Sequence, residues 1–332
     1  MSFRFLRRRP AAARRAALGL ALGLLAVLAS CGGGGLVEPF RPTRILALGD
    51  ELSVIEADGR KYGINAFKIT DATTTPPTES TTELDCARNP IWIQSVAAGF
   101  GLAFDRCLGA ATAATGQVLA QAGSKVADLA TQLAAMTGDP LGEKDIAVVL
   151  VGMHDILDAY AVYAADPTTP KSVVLDQVRA AGTDLGNRIN ALATSGPAVV
   201  VLTVPDLGLT PFARAENTSS GDATRAALLS ELTSAFNNRM SVTLINDGRL
   251  IGLVFADIEI QNEVKFPSSF GLANVIDAAC DVNVPLPGCT TATLATGATA
   301  AGYMWADSLR PGPTVQARLG ALAESRARNN PF

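Results

Sequence analysis

The stretch Ile45-Leu46-Ala47-Leu48-Gly49-Asp50-Glu51-Leu52-Ser53-Val54 decides how the rest of the chain is read. Four aliphatic residues in a row, with no polar alternation, form the pattern of a strand covered on both faces. Gly49-Asp50 then marks a sharp turn. Runs 146–151, 198–204 and 250–255 share the pattern, and helix-period stretches separate them. Residues 91–100 follow Asn89-Pro90, a cap residue and a proline suited to a helix start. Residues 126–136 place Val126, Leu129, Leu133 and Met136 at helical spacing; 173–192 and 222–244 are longer amphipathic stretches, and 314–328 closes the chain. Alternating strands and helices predict an α/β fold, a three-layer α/β/α sandwich with a parallel central sheet. In such sheets functional groups gather beyond the carboxyl ends of the strands. The turns so marked are Gly49-Asp50-Glu51-Leu52, Gly152-Met153-His154-Asp155 and Pro205-Asp206-Leu207-Gly208.

The amino terminus reads differently. Arg4, Arg7, Arg8, Arg9, Arg14 and Arg15 precede an apolar run, 16–28, that is too short to span a bilayer as a stable helix and suits a signal segment. The run ends Leu28-Ala29-Ser30-Cys31, which resembles the lipobox of bacterial lipoproteins. The resemblance implies a signal peptide over 1–30, acylation of Cys31, a tether over 31–43 that includes Gly32-Gly33-Gly34-Gly35, and a folded domain over 44–332. It places the protein in the bacterial envelope, at the periplasm or cell surface, held to a membrane by lipid on Cys31. The alternative is an ordinary secretory signal that happens to precede a cysteine. Removal of six arginines and no acid from a formal charge of −4 leaves −10. An acidic domain argues against nucleic acid, which needs a basic face, and against a polybasic membrane surface.

Beyond Cys31 four cysteines remain, Cys86, Cys107, Cys280 and Cys289, and export permits disulfides. Of three connectivities, the local one, Cys86–Cys107 with Cys280–Cys289, closes two short loops and is the pairing expected. With one histidine and no Cys-x-x-Cys, a redox or zinc role is the weaker reading. The Thr- and Pro-rich segment 70–83 reads as an exposed loop insertion; nothing apolar in it would hold a lid closed.

The marked turns together resemble the SGNH/GDSL hydrolase family of lipases and esterases, over nearly all of residues 44–325. In that family the first turn reads Gly-Asp-Ser-Leu, a second block supplies a glycine, a third reads Gly-x-Asn-Asp, and Asp-x-x-His precedes the last helix. Here the blocks are Gly49-Asp50-Glu51-Leu52, the segment Ala120-Gln121-Ala122-Gly123-Ser124-Lys125-Val126, Gly152-Met153-His154-Asp155 and Asp307-Ser308-Leu309-Arg310. Residues 92–102 and 205–214 resemble the family's first helix and fourth strand-loop, and a cysteine pair shortly before the last block is familiar in bacterial members.

The resemblance implies the site Glu51, Gly123, His154, Asp307 and Arg310, and it implies that the family's chemistry is lost. That chemistry needs a serine activated by a histidine, itself oriented by an aspartate, with N–H donors aimed at the oxyanion. Here a carboxylate stands for the serine, a guanidinium for the histidine and an imidazole for the asparagine; Arg310 takes no proton at physiological pH. Opposite charges at 51 and 310 are expected to pair, through two parallel hydrogen bonds, with Asp307 on the guanidinium's other edge. The expectation is therefore a non-hydrolytic protein that binds a small acyl or ester-like ligand or an envelope partner. The alternative is an active ester hydrolase in which a Glu51–His154 pair activates water. Ser53 as a substitute nucleophile is set against a turn hydroxyl, and a metal site from His154, Asp155 and Asp158 against too few ligands. No P-loop, dinucleotide fingerprint or Gly-x-Ser-x-Gly occurs, and no cofactor is expected.

Overall fold

β1 (Arg44–Gly49) pairs in parallel with β4 (Gly116–Val118) on one side and β5 (Asp145–Leu150) on the other, and β6 (Ala198–Leu202) and β7 (Ile251–Val254) continue outward from β5. The computed structural model describes residues 39–332; the expected signal segment, Cys31 and most of the tether lie outside the described residues. Counting only the strands of this sheet, the order is 2-1-3-4-5, all parallel. Order reverses between β1 and β5, and such a switch point leaves a crevice at the carboxyl ends of the two strands.

Helices cover both faces, which is why the strands read as unbroken apolar runs. On one face Ile45, Ala47, Ile146, Val148, Val200 and Leu202 pack against α1 (Trp92–Gly99), α7 (Ala256–Lys265) and α8 (Pro313–Asn329). On the other, Leu48, Val149, Val151 and Val201 pack against α2 (Leu129–Ala134), α3 (Met153–Ala165), α4 (Lys171–Thr194) and α6 (Arg225–Thr243); α5 (Pro211–Ser220) flanks them. Each fully buried aliphatic side chain contributes about 1.5–3 kcal/mol, so this core is the main source of stability. Among the described residues no helix is long and apolar enough to cross a membrane.

The segment 70–83 is not a loop. β2 (Phe67–Asp71) and β3 (Thr78–Leu84) make an antiparallel hairpin with register shifts, because its β-branched threonines favour extended backbone over coil. It is largely exposed, and Glu79 anchors it to Arg88 (2.6 Å) and to Thr291 (3.0 Å). The helix after Pro90 starts later than its sequence suggests. Ile91 is its cap, with the Gln94 side chain accepting the Ile91 N–H (3.0 Å), while Asn89 donates to the Ile64 carbonyl instead.

Cys86–Cys107 and Cys280–Cys289 are both formed, with Cα atoms 5.8 and 5.9 Å apart. The first loop has a second fastening. The Lys61 ammonium, 1 % exposed, donates to the carbonyls of Cys86 (2.8 Å), Arg88 (2.6 Å) and Asn89 (3.1 Å). Burial pushes its pKa down to about 8. The second pair lies beside a small parallel ladder of β8 (Asn274–Ala278) and β9 (Tyr303–Trp305), which leads to the turn carrying Asp307 and Arg310.

Candidate functional site

The crevice begins with a backbone constraint. β1 ends at Gly49 with φ 124°, where an added Cβ would lie 1.9 Å from the Leu150 carbonyl oxygen; only glycine lets the chain turn this close to β5. Asp50 then caps a single turn of 3-10 helix, Glu51–Ser53, its Oδ1 accepting the Leu52 N–H (3.1 Å). That turn aims Glu51 into the crevice. Across the switch point Gly152, φ 128°, starts α3 and sets His154 on its first turn.

Glu51 is 1 % exposed, and its carboxylate is the centre of the site. Oε2 accepts the Gly123 backbone N–H (3.0 Å) and lies 2.8 Å from His154 Nε2, which is also 3.0 Å from Oε1. Arg310 donates to Oε1 through Nε (3.1 Å) and, closer still, through Nη2. Its Nη1 donates to Asp307 Oδ2 (2.7 Å), while Asp307 Oδ1 accepts the Leu309 and Arg310 N–H groups (2.9 and 2.7 Å). Glu51, Gly123, His154, Asp307 and Arg310 therefore meet at one point. The ion pair differs from the expected parallel fork: both Arg310 bonds fall on Oε1, while Oε2 takes the Gly123 N–H and His154 lies astride both oxygens.

The charges follow from these contacts. Burial raises the Glu51 carboxyl, but the His154 hydrogen bond, the Arg310 charge and the Gly123 N–H outweigh it and hold the pKa at about 2. His154 is raised, chiefly by its bond to Glu51, with burial opposing. A carboxylate thus faces a guanidinium and an imidazole biased toward its protonated form, with Asp307 on the guanidinium's far edge. Beneath them Asp50 is wholly buried; burial, helped by the adjacent Glu51 charge, pushes it up to about 8, so it stays a neutral acid.

Gln132 had no signal in the sequence, yet it fixes the relation between the two loops. Fully buried, it accepts the Gly49 N–H (2.8 Å), donates to the Gly49 carbonyl (2.8 Å) and donates to Ser124 Oγ (3.0 Å). The Gln121 N–H also reaches the Gly49 carbonyl (3.1 Å). Gly123 is held where its N–H meets Glu51 by these bonds.

Other candidates have structural partners. Ser53 Oγ is buried and accepts the Trp92 indole N–H (3.2 Å). Asp155 Oδ2 accepts the Val126 N–H (3.0 Å) and Asp158 pairs with Lys125, so neither joins His154 around a cation. Asp206, in the third marked turn, accepts from Gly208 (3.0 Å), Ser230 (2.6 Å) and Gln261 (2.9 Å).

Fold and site define a doubly wound α/β protein with a closed charge cluster at its switch point. A scan against protein-family models and a search of curated proteins find no match to this chain.

Proposed function

We propose that the chain carries an SGNH/GDSL hydrolase-like domain that works without hydrolysis. On this reading it is an exported lipoprotein, anchored through Cys31, that binds a small acyl or ester-like ligand or an envelope partner at the rim of the cluster. One observation carries the reading: Glu51 Oε2 already occupies the Gly123 N–H. An ester oxygen arriving there would find its donor taken and a negative charge in its place, the opposite of what stabilises an oxyanion. The rest agrees. Arg310 is no base, and the Ser53 hydroxyl, two residues from Glu51, is sealed against Trp92. The test is hydrolysis of a short-chain activated ester by the purified mature domain, and the expected result is no turnover above buffer.

The hydrolase alternative draws on the 2.8 Å Glu51–His154 contact. Against it, the contact with Glu51 raises His154 and so favours its protonated form over the free base, and Glu51, held at about 2, is too weak a base to activate water well. Turnover that disappears in Glu51→Ala and His154→Ala would establish that alternative.

A further inference from the structure

We infer that Gly123, His154 and Arg310 form a receptor for a small carboxylate, and that Glu51 is its occupant, carried on the same chain. The donors converge as they would on a ligand. One oxygen takes a backbone N–H and an imidazole, the other a guanidinium and the same imidazole. Charge-assisted donors of this kind, aimed at both oxygens, are the strong form of carboxylate recognition.

Two of the three donors are placed without Glu51, and the third has its backbone fixed. Gly123 is placed by the Ser124–Gln132–Gly49 hydrogen bonds, and Arg310 by both oxygens of Asp307. His154 is set by the first turn of α3. Removing the Glu51 side chain therefore leaves the Gly123 N–H and the Arg310 guanidinium in place around an empty space, with the His154 ring carried beside it on α3. Arg310 and His154 are 20 % and 22 % exposed, against 1 % for Glu51, so that space opens to solvent along their side.

The chemistry of the missing piece sets the ligand. Glu51→Ala removes one methylene and the carboxylate, which are the heavy atoms of acetate. Glu51→Gly removes one carbon more, the heavy atoms of propionate. In the native chain the tethered carboxylate has an effective concentration on the order of millimolar or above, and its side chain needs only two further bonds fixed. Free acetate cannot displace it. The receptor stands on its donors alone, independent of any hydrolase ancestry, and an ester assay says nothing about it.

The test is thermal unfolding of wild type, Glu51→Ala and Glu51→Ala/Arg310→Ala at neutral pH in sodium acetate, sodium butyrate or sodium chloride at matched ionic strength. The expected result is a saturable rise in Tm of about 2–4 °C for Glu51→Ala in acetate, absent in chloride. Butyrate should act weakly or not at all, and neither wild type nor the double variant should respond. An equal response to acetate and chloride, or an acetate response in wild type, would overturn the receptor. Should Glu51→Ala not fold alone, its refolding yield replaces Tm: recovery in acetate but not in chloride supports the receptor, and equal yields overturn it.

Discussion

His154 Nε2 lies 2.8 Å from one oxygen of Glu51 and 3.0 Å from the other, so the only imidazole in the chain sits astride a buried carboxylate. A single histidine gives a single set of imidazole resonances, which makes the contact readable in solution. Titration by NMR should find His154 above its ordinary 6.5, and Glu51→Gln should lower it, since the first cause of the rise is removed. The stability it contributes is fully present below about 6.5 and is lost as pH rises through the raised value. An unchanged midpoint in Glu51→Gln would mean the contact is not made.

Arg310→Ala leaves Glu51 buried beside a weaker cation and Asp307 without its guanidinium. Breaking a buried pair from one side costs about 3–5 kcal/mol, reduced where water reaches the vacated space. The urea midpoint should fall accordingly, far more than for a surface arginine such as Arg249, whose partner Asp247 is two residues away. Glu51→Ser/Arg310→His should be better tolerated than Arg310→Ala, because neither replacement strands a charge. Additive losses would show that the pair is not coupled.

Asp50 gives the opposite sign from Glu51. Its folded pKa is about 8, above an ordinary 3.8, so between these values the folded chain holds a proton the unfolded chain has lost. Stability therefore falls as pH rises through that window. Glu263, raised to about 7 by burial, adds to the same slope. Glu51, held at about 2, contributes stability above its ordinary 4.5 that is lost only as pH falls through 2. Asp50→Asn keeps the acceptor for the Leu52 N–H and removes the titration. Its unfolding free energy should change less between pH 4 and pH 8 than that of the wild type.

Most of the sheet was legible because both its faces are covered, which leaves β1, β5, β6 and β7 as unbroken apolar runs. β4 was not, since three residues carry no pattern, and neither were α3, α5 and α7, which follow the strand ends and turns directly. The hairpin 67–84 was hidden because composition, with Thr and Pro dominant, describes exposure better than it describes backbone. Charge complementarity made the Glu51–Arg310 pair readable. The sharing of Glu51 between oxygens was not, as it depends on where Gly123 and His154 fall in space. Gln132 had no local signal: two of its three bonds go to the N–H and carbonyl of Gly49, 83 residues away.

That residue supports a further expectation. Gln132→Leu is close in size but would leave the Gly49 N–H and carbonyl without their side-chain partner in a dry interior, at about 1–3 kcal/mol for each unsatisfied group. The Gln121 bond to the same carbonyl remains, so the loss should lie toward the lower end. Denaturation measures the cost.

On the proposed SGNH/GDSL reading, installing that family's residue types, Glu51→Ser with His154→Asn and Arg310→His, should produce ester hydrolysis above the level of the parent. Asp307 already receives two backbone N–H groups from its own turn and keeps an oxygen for the new imidazole. Adding Asp307→Ala should abolish the gained activity. Absence of any turnover in a folded triple variant would count against the hydrolase kinship.

Lys61, its ammonium enclosed by carbonyls of the 86–89 loop, has a practical use. A lysine with a pKa near 8 would be the most reactive of the lysines if reagents could reach it, and 1 % exposure denies them access. Acylating reagents should therefore label Lys68, Lys125 and the other surface lysines at once, and Lys61 only when the disulfide-bound loop opens. Mass spectrometry of that one peptide against time becomes a clock for local opening. Reduction of Cys86–Cys107 should make it run faster.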